Sequence, residues 1–244
     1  MQTNAVFETV FPLRTADFDR LVQPKPSAVL DLFQEAAAIH SEAIGAGRAA
    51  LDARGLIWVL ARVRYRVLCP PEQHTRVRVR TWPHRPSRLI CGRDYEMLSD
   101  DGSPLIHGTS EWILLDVVRR RMVPCPDIYP AITGYEERRL FPERLLPLRA
   151  EGTASAALTM LPGYADLDQN GHVNNTRYAD FSLNALPPET VGRITAFGID
   201  YHRELHAGDA LTLTCLPHEG GTTVCGADDR GERMFICRMD FAAP

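Results

Sequence analysis

The sequence predicts an α+β fold of two like units, each an antiparallel sheet wrapped around a central helix. Three observations carry this expectation. Several segments alternate apolar and polar residues with period two, which marks strands with one buried face. Residues 60–68 set Ala61, Val63, Tyr65 and Val67 against Arg62, Arg64 and Arg66, and residues 75–82 do the same with Arg76, Arg78 and Arg80. The stretch 27–44 is apolar on most sides, through Val29, Leu30, Leu32, Phe33, Ala36, Ala37 and Ile39, so it reads as a buried helix. Finally, the second half of the chain repeats the first in outline, which points to two like domains. A sheet curled round a helix buries that helix on most sides, as its composition requires.

Taken in order, residues 7–13 form the first strand, and the helix 27–44 follows with Ser27 as its cap and Gly45 and Gly47 as its stop. His40 on that helix reads as a hydrogen-bonded core or rim histidine. Strands 60–68 and 75–82 come next, with Pro70 and Pro71 supplying the turn between them. Two arginine faces opposed across a hairpin repel, so acidic neighbours such as Asp94, Glu96 or Glu111, or a bound anion, are needed. Residues 93–98 and 106–116 make a further hairpin around Asp101-Gly102. Residues 122–158 hold Pro124, Pro126, Pro130, Pro142 and Pro147 and lack periodicity, so they read as a connector. This divides the chain into 1–121, a linker 122–158, and 159–244. In the second half Leu161-Pro162 matches Phe11-Pro12, and the helix after Asn174 matches the helix after Ser27. Residues 195–203 then match 60–68, and residues 211–215, 222–227 and 235–241 supply the remaining strands.

With 244 residues and 45% hydrophobic content, the chain can bury a substantial core. No apolar run is long enough to span a bilayer. The N-terminus lacks a basic start followed by an apolar core, so a cytoplasmic location is expected. Cys69, Cys91, Cys125, Cys215, Cys225 and Cys237 are scattered without CxxC pairs. They read as reduced thiols, not as a zinc site or a disulfide framework; no metal or cofactor is expected. A net charge of −4 argues against nucleic acid as a partner. Charge is nonetheless uneven: residues 54–93 hold ten arginines against one acid, Glu72, while residues 161–244 hold six arginines against twelve acids. Such asymmetry marks either a docking face for an acidic partner or two halves that neutralise each other. Lys25 is the single lysine, so the number of arginines by itself proves little.

The chemistry concentrates in YADLDQNGHVNNTRY, residues 164–178. Asp168, Asn170 and His172 are spaced i, i+2, i+4, so in an extended segment they share a face. Gly171 permits a tight turn, and Asn174 and Asn175 suit a helix N-cap. Tyr178, Phe181 and Ala185 then give that helix one buried stripe. Two readings stand on the residues alone. One is a turn followed by a cap, the more ordinary use of such a run. The other is polar groups aimed at a carbonyl beside an electropositive helix end, where an oxyanion is stabilised. A calcium loop is excluded because Ala179 falls where the twelfth-position glutamate is needed.

These residues resemble the acyl-acyl carrier protein thioesterases of plants and bacteria. The resemblance runs through nearly the whole chain: DLDQNGHVNNTRYADF at 166–181, TSEWILLDVVRRR at 109–121, RTW at 80–82 and IDYHREL at 199–205, all in the right order. It implies a pair of tandem hotdog domains. It also implies hydrolysis of the thioester between a fatty acyl chain and the phosphopantetheine arm of acyl carrier protein, in fatty acid biosynthesis. The catalytic group it implies falls on Asp168, Asn170, His172 and Glu204. Under that reading Glu204 and His172 activate or orient water, and Asp168 is a second base or a nucleophile forming a mixed anhydride. Asn170 positions water or the carbonyl, and backbone N–H groups at His172 and Val173 bind the oxyanion. Leu205 stands where some members carry a cysteine, which disfavours a papain-like mechanism here, and no Gly-x-Ser-x-Gly elbow is present. The resemblance places the acyl tunnel in the first half, with Phe33, Ala37, Trp58 and Trp82 as candidate lining. It suits Arg119, Arg120 and Arg121 to docking an acidic carrier protein.

Three other readings share part of this pattern. An acyl-coenzyme A thioesterase uses the same fold and nearly the same chemistry. A hotdog dehydratase is disfavoured by the HVNN context. A non-catalytic acyl-thioester sensor needs none of Asp168, Asn170, His172 and Glu204, and no DNA-binding helix pair fits in the leftover chain. A fused pair of halves stands alone as a monomer or forms a homodimer through its free sheet edges, and no membrane partner is expected.

Overall fold

The computed structural model describes residues 5–243 except 126, 133 and 142–144. The chain forms two compact units. The first comprises the chain up to Thr15 together with Asp31–Leu145, and the second comprises Ala16–Leu30 with the chain from Leu146 onward. Each contains an antiparallel sheet and a helix laid on one of its faces, an α+β arrangement. Among the described residues, no helix is long and apolar enough to cross a membrane.

The sheet of the first unit is built from β1 (Phe7–Pro12), β2 (Leu56–Val67), β3 (Arg76–Pro83), β4 (Cys91–Leu98) and β5 (Pro104–Asp116), in the order β1-β3-β4-β5-β2. A short β6 (Arg121–Val123) pairs with β5. Strand register sorts the side chains by face. One row across the sheet runs Phe7, Thr81, Tyr95, Gly108, Tyr65. This row meets the helix α1 (Pro26–Ala43): Phe33 stacks on Tyr95 at 4.6 Å and His40 on Phe7 at 5.4 Å. Gly108 is required here, because a Cβ would sit 2.3 Å from Cε2 of Phe33. The adjacent row, on the opposite face, runs Glu8, Arg80, Glu96, His107, Arg66.

That charged row corrects the expected pairing of the two arginine strands. β2 and β3 are not neighbours; β4 and β5 lie between them and carry the acids. Arg80 reaches Glu8 at 2.9 Å and Glu96 at 3.4 Å, and Arg62 reaches Glu111 at 2.9 Å. Interleaving opposite charges turns a repulsive pattern into a favourable one. Glu96 and Glu111 therefore serve as expected. Asp94 instead is fully buried, facing His84 at 3.2 Å and accepting the Leu140 N–H at 2.9 Å.

The connector lies over this outer face. Arg138 sits 4.7 Å above the Trp82 ring and bonds Glu96 at 3.0 Å, while the indole N–H of Trp82 donates to the Arg138 carbonyl at 3.1 Å. Arg66 covers Phe141 at 4.7 Å. On the helix side, Arg93 is 3% exposed and donates to His40 Nδ1 at 3.1 Å and Thr81 Oγ1 at 3.2 Å. A guanidinium can only donate, so His40 Nδ1 is the acceptor of this bond. A five-residue helix, α2 (Arg48–Asp52), precedes β2. α1 buries Val29, Phe33, Ala36, Ala37, His40 and Ile44 follows just beyond its end, but Ile39 is 40% exposed. The helix thus has one broad buried face at helical spacing and one outward stripe, not burial on most sides.

The second unit contains β7 (Ala156–Met160), α3 (Arg177–Asn184), β8 (Ile194–Tyr201), β9 (Leu211–His218), β10 (Gly221–Ala227) and β11 (Arg233–Phe241). Its strand order, β7-β9-β10-β11-β8, matches that of the first unit strand for strand. β7 supplies the leading strand implied by the match of Leu161-Pro162 to Phe11-Pro12, but it starts at Ala156, inside the stretch 122–158 read as connector. Tyr178 and Phe181 of α3 are each 2% exposed, and Tyr178 meets Tyr201 and Phe235 edge-on at 5.4 and 5.2 Å. Ser27 is not a cap: α1 starts at Pro26, and the Ser27 hydroxyl donates to Asp180 of α3 at 2.6 Å. Gln23 is similarly spent on this unit, accepting from Ile194 N–H at 2.8 Å and donating to the Gly192 carbonyl at 3.1 Å. The connector ends with the Leu148 N–H on buried Asp200 at 2.7 Å.

Candidate active site

The 168–172 segment is a tight turn and not an extended run, so the shared-face argument for Asp168, Asn170 and His172 is corrected. Leu167 and Val173 form a bridge, the Asp168 N–H donates to the His172 carbonyl at 2.8 Å, and the Gly171 N–H donates back to Asp168 at 3.1 Å. Gly171 has φ +78°, the conformation glycine tolerates best. Asp168 organises the turn: Oδ1 accepts from the Asn170 N–H at 2.8 Å and the His172 N–H at 3.3 Å, and Oδ2 accepts from the Asn170 side-chain amide at 3.2 Å. This is the local carboxylate-to-backbone bonding that aspartate favours in turns.

The turn presents His172 to the segment that follows β8. His172 Nε2 lies 3.6 Å from Glu204 Oε2, and both side chains are about one-third exposed, at 31% and 35%. Glu204 is held by its neighbour. Leu205 is fully buried; its N–H donates to the Tyr178 hydroxyl at 3.2 Å and its carbonyl accepts from Val173 at 2.8 Å. Burial pushes the Tyr178 phenol well above its ordinary range, so it stays protonated near neutrality. Two residues on, His206 sets its ring perpendicular to that of His172 at 5.0 Å.

The bond from Val173 to Leu205 removes one donor expected at the oxyanion, and the His172 N–H is turned toward Asp168. The capping expectation is corrected: the residue before α3 is Thr176, which makes no side-chain cap, and Asn174 closes a local turn instead. Asn174 Oδ1 accepts from the Thr176 N–H at 3.0 Å, and α3 begins one residue after Thr176. Arg177 then ties the turn to the helix, bonding Asp166 at 3.0 Å and Asp180 at 2.6 Å.

The first-unit residues separate. Phe33 and Ala37 lie on the buried face of α1, at 2% and 6% exposure. Trp58 is half-buried near the C-terminal end of α1, donating to the Ala46 carbonyl at 2.9 Å and stacking on Tyr129 at 6.1 Å. Trp82 does not belong with them: it lies on the arginine face, away from α1, under Arg138. Its parity with Arg76, Arg78 and Arg80 was the readable signal. Arg119, Arg120 and Arg121 crown the β5–β6 hairpin, all exposed, beside Val118 at 86% and Met122 at 52%. Arg119 is engaged by Asp116 at 3.1 Å.

Comparison with known proteins decides the family. The model of the acyl-ACP thioesterase N-terminal domain matches residues 4–132, and that of the C-terminal domain matches residues 150–236. The chain belongs to the acyl-ACP thioesterase family. Relatives within reach of sequence include oleoyl-acyl carrier protein thioesterase 1 of Arabidopsis thaliana, 28% identical over 85% of this chain and 64% of that protein. A palmitoyl-acyl carrier protein thioesterase of Cuphea hookeriana is 29% identical over 91% and 57%. This acyl-ACP thioesterase family member thus spans less than two-thirds of the length of these relatives. Its fold is shared with an acyl-ACP thioesterase from Bacteroides thetaiotaomicron, at TM-score 0.86, 23% identity and 98% coverage of both chains. The 12:0-ACP thioesterase of Umbellularia californica gives 0.85, 24%, and 98% and 97% coverage.

Proposed function

We propose that this chain hydrolyses the thioester of fatty acyl-acyl carrier protein, releasing a free fatty acid and the carrier protein thiol. The observation that carries the reading is the pair His172–Glu204 at 3.6 Å, brought from two segments to one half-exposed spot. Membership of the acyl-ACP thioesterase family supports it. Water held between His172 and Glu204 attacks the carbonyl and passes a proton to the imidazole. The tetrahedral intermediate collapses, the carbon–sulfur bond breaks, and the proton goes to the departing phosphopantetheine sulfur. Glu204 stabilises the imidazolium formed in between. Asp168 is the anchor of the His172 turn, because three N–H groups already claim its carboxylate. The Asn170 amide, exposed on the same turn, is the donor for the carbonyl oxygen.

The matching strand orders of the two units support a tandem pair of hotdog domains. The acyl chain is assigned to the first, near Phe33 and Ala37. The carrier protein docks on the Arg119–Arg121 hairpin, whose exposed valines and arginines suit an acidic partner with an apolar patch. The test is free fatty acid release from a panel of acyl-carrier proteins beside the matching acyl-coenzyme A esters. Preference for the carrier protein supports the reading. Equal or faster cleavage of coenzyme A esters assigns a general acyl-coenzyme A thioesterase, and binding without release assigns a sensor.

A further inference from the structure

Glu204 and His206 flank Leu205, and Leu205 is fixed on both sides of its backbone. Its N–H reaches the Tyr178 hydroxyl, its carbonyl holds Val173, and its side chain is fully buried. Both flanking side chains meet the same imidazole: Glu204 at 3.6 Å from Nε2 of His172, and His206 ring against ring at 5.0 Å and 88°. His206 is itself tethered. Its backbone N–H donates to Asp209 Oδ2 at 2.8 Å, and its Nδ1 lies 3.4 Å from the same oxygen. Gly208, at φ +85°, makes the turn that brings Asp209 back, and its N–H is anchored on the Pro162 carbonyl at 2.9 Å.

We infer that His206 is a positioning residue for the proposed hydrolysis: its ring, tethered by Asp209, is the wall that keeps the His172 imidazole turned toward Glu204. A histidine that is one-third exposed otherwise samples several rotamers, and only the one facing Glu204 can share a proton with it. Perpendicular aromatic contact at this separation is a favourable packing geometry. Misplacing a catalytic group by about 1 Å costs up to about a hundredfold in rate, so a wall that selects one rotamer is worth a measurable part of that factor. The inference rests on the functional reading for its kinetic consequence, but its geometric content is independent of substrate.

The test uses the full chain with His206→Ala, His206→Phe and Asp209→Asn, read by steady-state kinetics on an acyl-carrier protein and by side-chain NMR of His172. His206→Ala lowers kcat about tenfold while KM and thermal stability stay within the wild-type range, and His206→Phe, which keeps a ring, recovers to within about twofold. Asp209→Asn gives a smaller loss. In the NMR arm, His206→Ala increases the mobility of the His172 ring and His206→Phe does not. A His206→Ala kcat equal to wild type, a loss that His206→Phe fails to restore, or a rise in KM that accounts for the loss overturns the inference. Unchanged His172 ring motion in His206→Ala overturns it even if the wild-type chain cleaves no thioester, an outcome that would separately defeat the functional reading.

Discussion

Asp168 illustrates how one side chain can answer to two descriptions. Its carboxylate gathers two backbone N–H groups and the Asn170 amide, which makes it the anchor of the turn, while His172 and Glu204, 3.6 Å apart, are the pair proposed to move protons. Asp168→Asn keeps an oxygen acceptor at Oδ1, so it is expected to hold the turn and retain kcat within about tenfold, whereas Asp168→Ala loses about a hundredfold. Steady-state kinetics on both variants checks this; a hundredfold loss in Asp168→Asn would give the carboxylate a chemical role. Tyr178 tests the other wall of the site. Its hydroxyl accepts the buried Leu205 N–H, so Tyr178→Phe leaves that group unpaired and costs about 1–3 kcal/mol of stability. Denaturant titration reads this directly, and no change in midpoint would contradict it. Sequence spacing brought Asp168, Asn170 and His172 to attention but misjudged why they belong together, because a glycine at positive φ folds the run into a turn. The parts contributed by Tyr178, His206 and Asp209 were not legible, since each depends on the path taken by the backbone of Leu205.

At the scale of elements, alternation identified most strands and the helix that they cover, because a period-two pattern is local. Strand order was not local. Pro70-Pro71 suggested a hairpin between the two arginine strands, yet charge alternation across the sheet is satisfied only when β4 and β5 separate them. Trp82 was misassigned although its parity with Arg80 was readable, and the start of β7 was set too late, because its first three residues fell in the aperiodic stretch read as connector. Glu96 is where the outer face is most exposed to damage. It receives Arg80, Arg138 and His107 with its own side chain only 8% exposed. Glu96→Gln therefore takes the acidic partner from Arg138 while Arg80 keeps Glu8, and costs about 1 kcal/mol, measurable as a lowered unfolding midpoint. On the opposite face, Gly108→Ala drives a methyl into Phe33, which is stacked on Tyr95 and 2% exposed. The expected loss is about 1–3 kcal/mol, and a wild-type midpoint for this variant would refute the packing assigned to α1.

For the molecule as a whole, the repeat seen in the sequence is realised as two units of matching strand order, and family membership supports the chemistry proposed for them. The second unit carries the proposed proton-transfer pair, and the first carries the exposed basic hairpin. Arg120→Glu with Arg121→Glu is expected to raise KM for acyl-carrier protein about tenfold with kcat unchanged, and the effect should shrink at high salt. An unaltered KM at low salt would move the docking surface elsewhere. The measurement that bears most directly on the central claim is fatty acid release from an acyl-carrier protein by the wild-type chain beside His172→Ala and Glu204→Gln. The account predicts release by the wild type and a loss of at least about a hundredfold in kcat for each variant, with unfolding midpoints unchanged. Absence of release by the wild type, or turnover within about tenfold of it in either variant, would contradict the assignment of this pair as the hydrolytic centre.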